Sequence, residues 1–268
     1  MQMPRIGGEM SQADEETKFA RLRRFNAGMG VLHLLQGALI IALSSAYSLP
    51  VRTTFLRFDP NTNSLMSVVD TIANLPLAPM IALFLFISAV AHFSLSTFGY
   101  GWYVRNLKKG MNPARWYEYF FSSSVMIVVI ALLCGIYELG SLILIFALNG
   151  TMILFGYMME IHNQTTKQTD WRSFIFGCFA GIVPWIVLGI YFFGALLPSP
   201  DKIPTFLYLV FFLLAFFFNI FAVNMALQYR RKGRYQDYLY GERMYVVLSL
   251  VAKSTLAWLV FGGTLRGA

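Results

Sequence analysis

One amine in this sequence stands far from water. The last apolar stretch runs from Met244 to Phe261 and carries Lys253 near its middle, eight or nine residues from either end. At about 1.5 Å per residue, that leaves roughly 12–13 Å of hydrocarbon on each side. A lysine stem reaches an interface poorly from this depth, and an ammonium at a bilayer centre costs at least about 2.5 kcal/mol. Lys253 therefore needs a buried acid, a water-filled path or chemical conversion. Condensation with an aldehyde to a Schiff base is the conversion open to a lysine. Ser249, one turn earlier, can hydrogen-bond near its nitrogen. Glu118 opens the third apolar stretch, with Ser122 one turn later on the same face. Glu118 is the best partner for Lys253, although hydropathy sets it two turns or more nearer one end of the span. Glu138 and Glu160 lie near span ends and read as interfacial charges. His33 and Gln36 share a face of the first span, Ser88 and His92 are an i,i+4 pair on the second, and Asn149 sits in the middle of the fourth. Two histidines with polar companions on adjacent spans point to a shared polar pocket. No metal site is expected.

These residues must be held by membrane-spanning elements. The chain has 268 residues, of which 57% are hydrophobic and 13% charged, against about a quarter charged in soluble domains. Seven apolar stretches reach the roughly 20 residues that a crossing needs: Phe25–Tyr47, Ala78–Phe98, Trp116–Tyr137, Ser141–Ile161, Phe174–Leu196, Pro204–Leu227 and Met244–Gly262. Asn112-Pro113 has the form of a helix cap followed by a first-turn proline. Pro184 falls inside the fifth span and should bend it. The expected fold is all-α, a seven-helix bundle.

Lysine and arginine set the orientation. Sixteen fall on the side of the N-terminus and four on the other. The N-terminus is therefore expected in the cytoplasm and the C-terminus outside. This gives a cytoplasmic segment 1–24, a membrane domain 25–262 and an outer tail 263–268. The net charge of +8 is spread over loops, so it reads as a topology signal rather than a nucleic-acid surface. The first 24 residues hold acids among bases and no apolar run, so no cleavable signal peptide is expected. The outer loop 48–77 is long for a bundle. Val51–Phe58 is rich in β-branched and aromatic residues and precedes the turn cluster Asp59-Pro60-Asn61-Thr62-Asn63, so a β-hairpin is expected there.

Aromatic residues make up 16% of the chain, including Trp185 beside Pro184 and runs such as Phe216-Phe217-Phe218. Aromatic walls around one reactive polar group suit a long conjugated ligand. Gly177 and Gly181 form a small-xxx-small pair that serves either an internal helix contact or a dimer. Cys134 and Cys178 lie in apolar runs and read as small core residues.

Seven spans with a lysine in the seventh and a glutamate in the third resemble the retinal-binding rhodopsins. A cytoplasmic N-terminus narrows the resemblance to the heliorhodopsins. It is carried over nearly the whole chain by Ser249-xxx-Lys253, Tyr117-Glu118-Tyr119 with Ser122, Ser88-xxx-His92, His33 with Gln36, and Pro184-Trp185. The resemblance implies all-trans retinal on Lys253 as a protonated Schiff base, with Glu118 as counterion. It places Ser122, Ser249, Trp185 and Asn149 around the chromophore. His33, His92, Gln36 and Ser88 would form a polar pocket that accepts the proton. It also implies a homodimer through the fourth and fifth spans and the outer loop, with Gly177 and Gly181 in the contact. A light sensor with a slow photocycle and an unidentified cytoplasmic partner is expected, and no enzyme activity. Ser249 and Val129 stand where outward proton pumps generally carry carboxylates. The alternatives are a light-driven proton pump or light-gated transporter, a seven-helix transporter or receptor that does not respond to light, and an enzyme that uses a Lys253 Schiff base on another carbonyl.

Overall fold

Backbone in a bilayer must bond to itself, and a helix does so within each segment. The computed structural model describes residues 12–198 and 200–266. Residues 1–11 of the N-terminal segment, with Arg5, and 267–268 of the tail lie outside the described residues. The chain forms α1 (Gln12–Leu43), a hairpin of β1 (Ser48–Asp59) and β2 (Ser64–Pro76), then α2 (Leu77–Ser96), α3 (Tyr100–Lys108), α4 (Pro113–Leu133), α5 (Leu139–His162), α6 (Arg172–Leu196), α7 (Thr205–Arg230) and α8 (Tyr238–Val260). All but α3 are long and apolar enough to cross a membrane, so the seven-helix expectation holds.

Local chemistry sets several boundaries. The Asn112 side chain accepts from the Arg115 N–H at 3.2 Å, and Pro113 takes the first position of α4. Glu138 caps α5 by accepting from the Ser141 N–H at 2.7 Å. That bond holds the Glu138 carboxyl below its usual range. Asp237 caps α8 through the Leu239 N–H at 2.9 Å. In the hairpin, the register runs antiparallel from Ser48 opposite Pro76 to Asp59 opposite Ser64, with one shift between Val51 and Arg52. The Arg52 N–H reaches the Tyr137 carbonyl at 2.7 Å and ties the hairpin to the segment between α4 and α5. Pro184 is buried inside α6, which stays helical through it.

Three expectations change. The first helix begins at Gln12, ahead of the apolar stretch that starts at Phe25, because Phe19 and Leu22 are buried against Tyr103 and Leu107 of α3 and Leu239. That apolar contact extends α1 beyond the bilayer-length stretch. The chain does not become a tail at residue 263. Phe261–Leu265 forms a π-helical turn, Leu265 is buried, and Ser45 donates to its carbonyl from both N–H (2.8 Å) and hydroxyl (3.0 Å). Gly263 permits the turn, since a Cβ there would collide with the Phe206 ring. Cys178 is exposed rather than a core residue, while Cys134 is half-buried and packs against the apolar core.

Sequential helices pack side by side from α4 to α6. α1 packs on α2, α2 on α4, and α8 packs on α7 and returns to α1. α4 is the central helix: 61% of its apolar window is buried, against 17% for α7. α6 and α7 are bridged by rings rather than by close backbones, as in the Phe192–Phe211 stack at 4.4 Å and the Trp185–Phe218 edge contact at 5.4 Å. The core between the site and the hairpin is apolar, built from Ile81, Phe84, Leu85, Ile127, Ile130, Leu132, Leu256 and Val260.

Candidate functional site

Lys253 and Glu118 meet. The lysine Nζ donates to Glu118 Oε1 at 2.8 Å and to Ser249 Oγ at 2.7 Å. The side chains are 3% and 9% exposed, so the pair is shielded from solvent. The depth difference suggested by hydropathy is bridged as the four-carbon stem of Lys253 leans toward the start of α8. Ser88 donates to the same Glu118 oxygen at 2.6 Å. The Tyr119 ring lies 5.2 Å from the ammonium, and the Tyr119 hydroxyl is fixed by the Tyr245 carbonyl at 2.8 Å. Ser122 is fully buried beside the carboxylate, outside hydrogen-bond geometry.

The two histidines also meet. His33 and His92 stack with centroids 5.6 Å apart and planes 8° from parallel. His92 Nδ1 lies 2.8 Å from Asn26 Oδ1, a partner that sequence reasoning missed. Gln36 does not join them. It is half-buried, donates to the Leu32 carbonyl at 3.3 Å and accepts from the Trp258 indole at 3.0 Å. It therefore braces α1 against α8.

A cavity between α4, α5, α6, α7 and α8, part of it open to the outside of the bundle, reaches Lys253. Its walls include Met126, Met152, Ile153, Phe218 and Phe221. One amine in a mostly apolar slot fits an elongated aldehyde of polyene type. Trp185 and Asn149 stand one layer behind this wall. Trp185 backs Phe218, and Asn149 donates to Ser123 and Ser124 at 2.8 and 3.0 Å. Gly177 lines the cavity itself, and the missing Cβ at Gly177 and at Gly181 leaves room for Phe155 and Met152 of α5. The glycine pair thus serves a close approach within the chain, one of the two roles open to it.

Glu160 is not interfacial. It is buried together with Glu242, and Arg115 bonds to both. Arg115 stacks at 4.4 Å from the Trp116 ring and 3.9 Å from that of Tyr245. The sequence did carry a signal for this cluster. Glu242, Ser249 and Lys253 follow one helix face at i, i+7 and i+11, and Arg115 and Glu118 are an i,i+3 pair.

A family model described as heliorhodopsin matches residues 22–265. No curated protein matches the sequence at a significant level. Among solved structures, the transmembrane domain of the Salpingoeca rosetta rhodopsin phosphodiesterase is similar with a TM-score of 0.64 at 15% identity, covering 95% of this chain and 88% of that one. A second structure of that domain with its linker region gives a TM-score of 0.65 at 14% identity, covering 94% and 74%. At such identities the likeness is one of fold.

Proposed function

We propose, because the chain belongs to the heliorhodopsin family, that this rhodopsin is a light sensor working through Lys253 and Glu118 and does not pump ions. The observation that carries the proposal is the buried pair at 2.8 Å, reached by an apolar cavity. All-trans retinal, attached through the Lys253 nitrogen as a Schiff base, supplies the visible absorption and the photoisomerisation. The chain's own groups do the rest. Glu118 holds a proton at that nitrogen, since opposite charges this close in a dry interior favour the charged form. Ser88 and Ser249 orient the carboxylate and the nitrogen. A change in the position of the nitrogen weakens its bond to Glu118 and frees the proton. His92, with His33 stacked on it and Asn26 bonded to it, is placed to receive it.

The buried charged cluster of Arg115, Glu160 and Glu242 lies on one side of Lys253 only, toward the basic end. Toward the hairpin, the bundle is filled by the apolar core around Ile127, Ile130, Leu256 and Val260, and no carboxylate is buried there among the described residues. A vectorial proton path needs relay groups on both sides. This asymmetry supports sensing over pumping. The signal would then be a shift in helix positions read by a partner at the basic end. The charge count supports placing that end in the cytoplasm. Homodimer formation through α5, α6 and the hairpin is part of the same proposal, supported by exposed apolar residues there, among them Leu144, Phe179, Leu56 and Phe58.

Illumination of cells or liposomes that carry the coloured protein tests the sensor reading. The expected result is no light-driven pH change in the medium. A robust change abolished by a protonophore would make the protein a pump.

A further inference from the structure

Arg115 leaves the first turn of α4 and ends between two acids, Glu160 near the end of α5 and Glu242 in α8. The three side chains are 4%, 2% and 1% exposed, so the charges are closed off from solvent. No other lysine or arginine bonds to either acid among the described residues. The remaining donors are neutral. The Asn112 N–H reaches Glu160 Oε2 at 2.9 Å, Asn112 Nδ2 reaches Glu242 Oε2 at 2.8 Å, and Gln228 Nε2 reaches Glu242 Oε1 at 3.2 Å. One guanidinium thus faces two carboxyl groups, so a second ionised acid there would have no counter-charge. Burying such a charge is costly, and a clamp that only joined α4 to a neighbouring helix would need a single acid.

Two further observations say what the second acid is for. A narrow cavity runs from the Lys253 site to the cluster, with Glu118, His92 and Ser249 lining one end and Asn112, Arg115 and Glu242 the other. It has room for roughly one or two waters. The hydroxyls of Tyr229 on α7 and Tyr238 on α8 are buried without a hydrogen-bond partner among the described residues, in the field of the same acids. Tyr103 of α3, Tyr119 of α4, Tyr157 of α5 and Tyr245 of α8 also face the cluster.

We propose that the Glu160–Arg115–Glu242 cluster stores the proton that leaves the Lys253 nitrogen. The inference rests on the photosensory reading and names a residue set beyond it. The N–H bond at Nζ breaks and its electron pair stays on nitrogen. The proton passes along the groups and waters of the cavity, and an O–H bond forms on a Glu242 carboxylate oxygen. The cluster becomes neutral, the step reverses on return, and no proton reaches the medium. Gln228 suits both states, because an amide end offers either N–H or C=O to its neighbour. It sits on α7 and Glu242 on α8, so proton arrival also changes the contact between those helices.

Light-minus-dark infrared spectra of the retinal-loaded protein test this. When the nitrogen has lost its proton, a protonated-carboxyl C=O stretch should appear. It should be lost in Glu242→Gln, shifted in Glu242→Asp and unchanged in Glu16→Gln, which alters an exposed acid. Should Glu242→Gln fail to assemble, Glu242→Asp and Glu160→Gln carry the test, and the band must move in both. The retinal-free protein gives a second readout. Acidification should bring in a carboxyl band that Glu242→Gln or Glu160→Gln removes. A light-induced band indifferent to both acids overturns the proposal, as does stoichiometric proton release detected by a pH dye. A protein that never takes on colour instead sinks the photosensory reading itself.

Discussion

Replacing Glu118 by glutamine keeps the size of the side chain and a hydrogen-bond acceptor but removes its charge. The lysine nitrogen lies 2.8 Å from the carboxylate oxygen. At an effective dielectric constant near 20, two unit charges at that separation attract by about 6 kcal/mol. Ser88 and Ser249 remain in the variant and are neutral, so they recover little of this. A loss of about 6 kcal/mol corresponds to roughly four powers of ten in how tightly the nitrogen holds its proton. The retinal-loaded Glu118→Gln protein should therefore lose its long-wavelength band to a near-ultraviolet band at a far lower pH than wild type. The assay is a pH titration of the absorption spectrum in detergent, with wild type alongside. A variant whose band keeps its position and persists over the same pH range as wild type would show that another group balances the charge.

Other expectations follow from single contacts. Arg115→Met leaves Glu160 and Glu242 buried without a counter-charge and should destabilise the protein by about 3–5 kcal/mol, read as a lowered thermal midpoint of the retinal-free chain. Gly156→Leu forces a side chain into the Trp116 ring and should cost about 1–3 kcal/mol and displace a wall of the cavity, visible as a spectral shift together with lower stability. Asp170 lies in the α5–α6 connection and is held below the usual carboxylate range by hydrogen bonds from Arg172. Its ordering effect is thus complete above the ordinary carboxylate range and fades as pH falls through the lowered value. Amide exchange at Asp170, whose N–H reaches Asn163 Oδ1 at 2.7 Å, should stay slow at neutral pH and quicken in Asp170→Ala.

The bundle was legible because hydropathy and turn chemistry are local properties. The apolar runs, the Asn112-Pro113 cap and the hairpin with its Asp59–Asn63 turn all announce themselves in consecutive residues. The Lys253–Glu118 pair was legible for a different reason: a charge at mid-membrane depth demands an opposite one. What escaped depends on contacts between distant segments. The early start of α1 rests on the apolar patch of α3, and α3 itself is nine residues long and only moderately apolar. Glu160 looked interfacial because its position near the end of a span is visible in sequence, whereas Arg115 and Glu242 beside it are not. Gln36 was placed with His33 by helical spacing and by the family resemblance, and the Trp258 indole on another helix draws it elsewhere. Trp185 and Asn149 were placed near the right wall, but depth within a wall is set by packing that no spacing rule records.

On the proposed function, Lys253 is the attachment point, and its pairing with Glu118 makes the site a chromophore site. Visible spectra of wild type and Lys253→Ala, each purified after expression with all-trans retinal, test it most directly. A visible band in wild type and none in Lys253→Ala is the predicted outcome. Colourless wild type, or colour that survives loss of the amine, would contradict it.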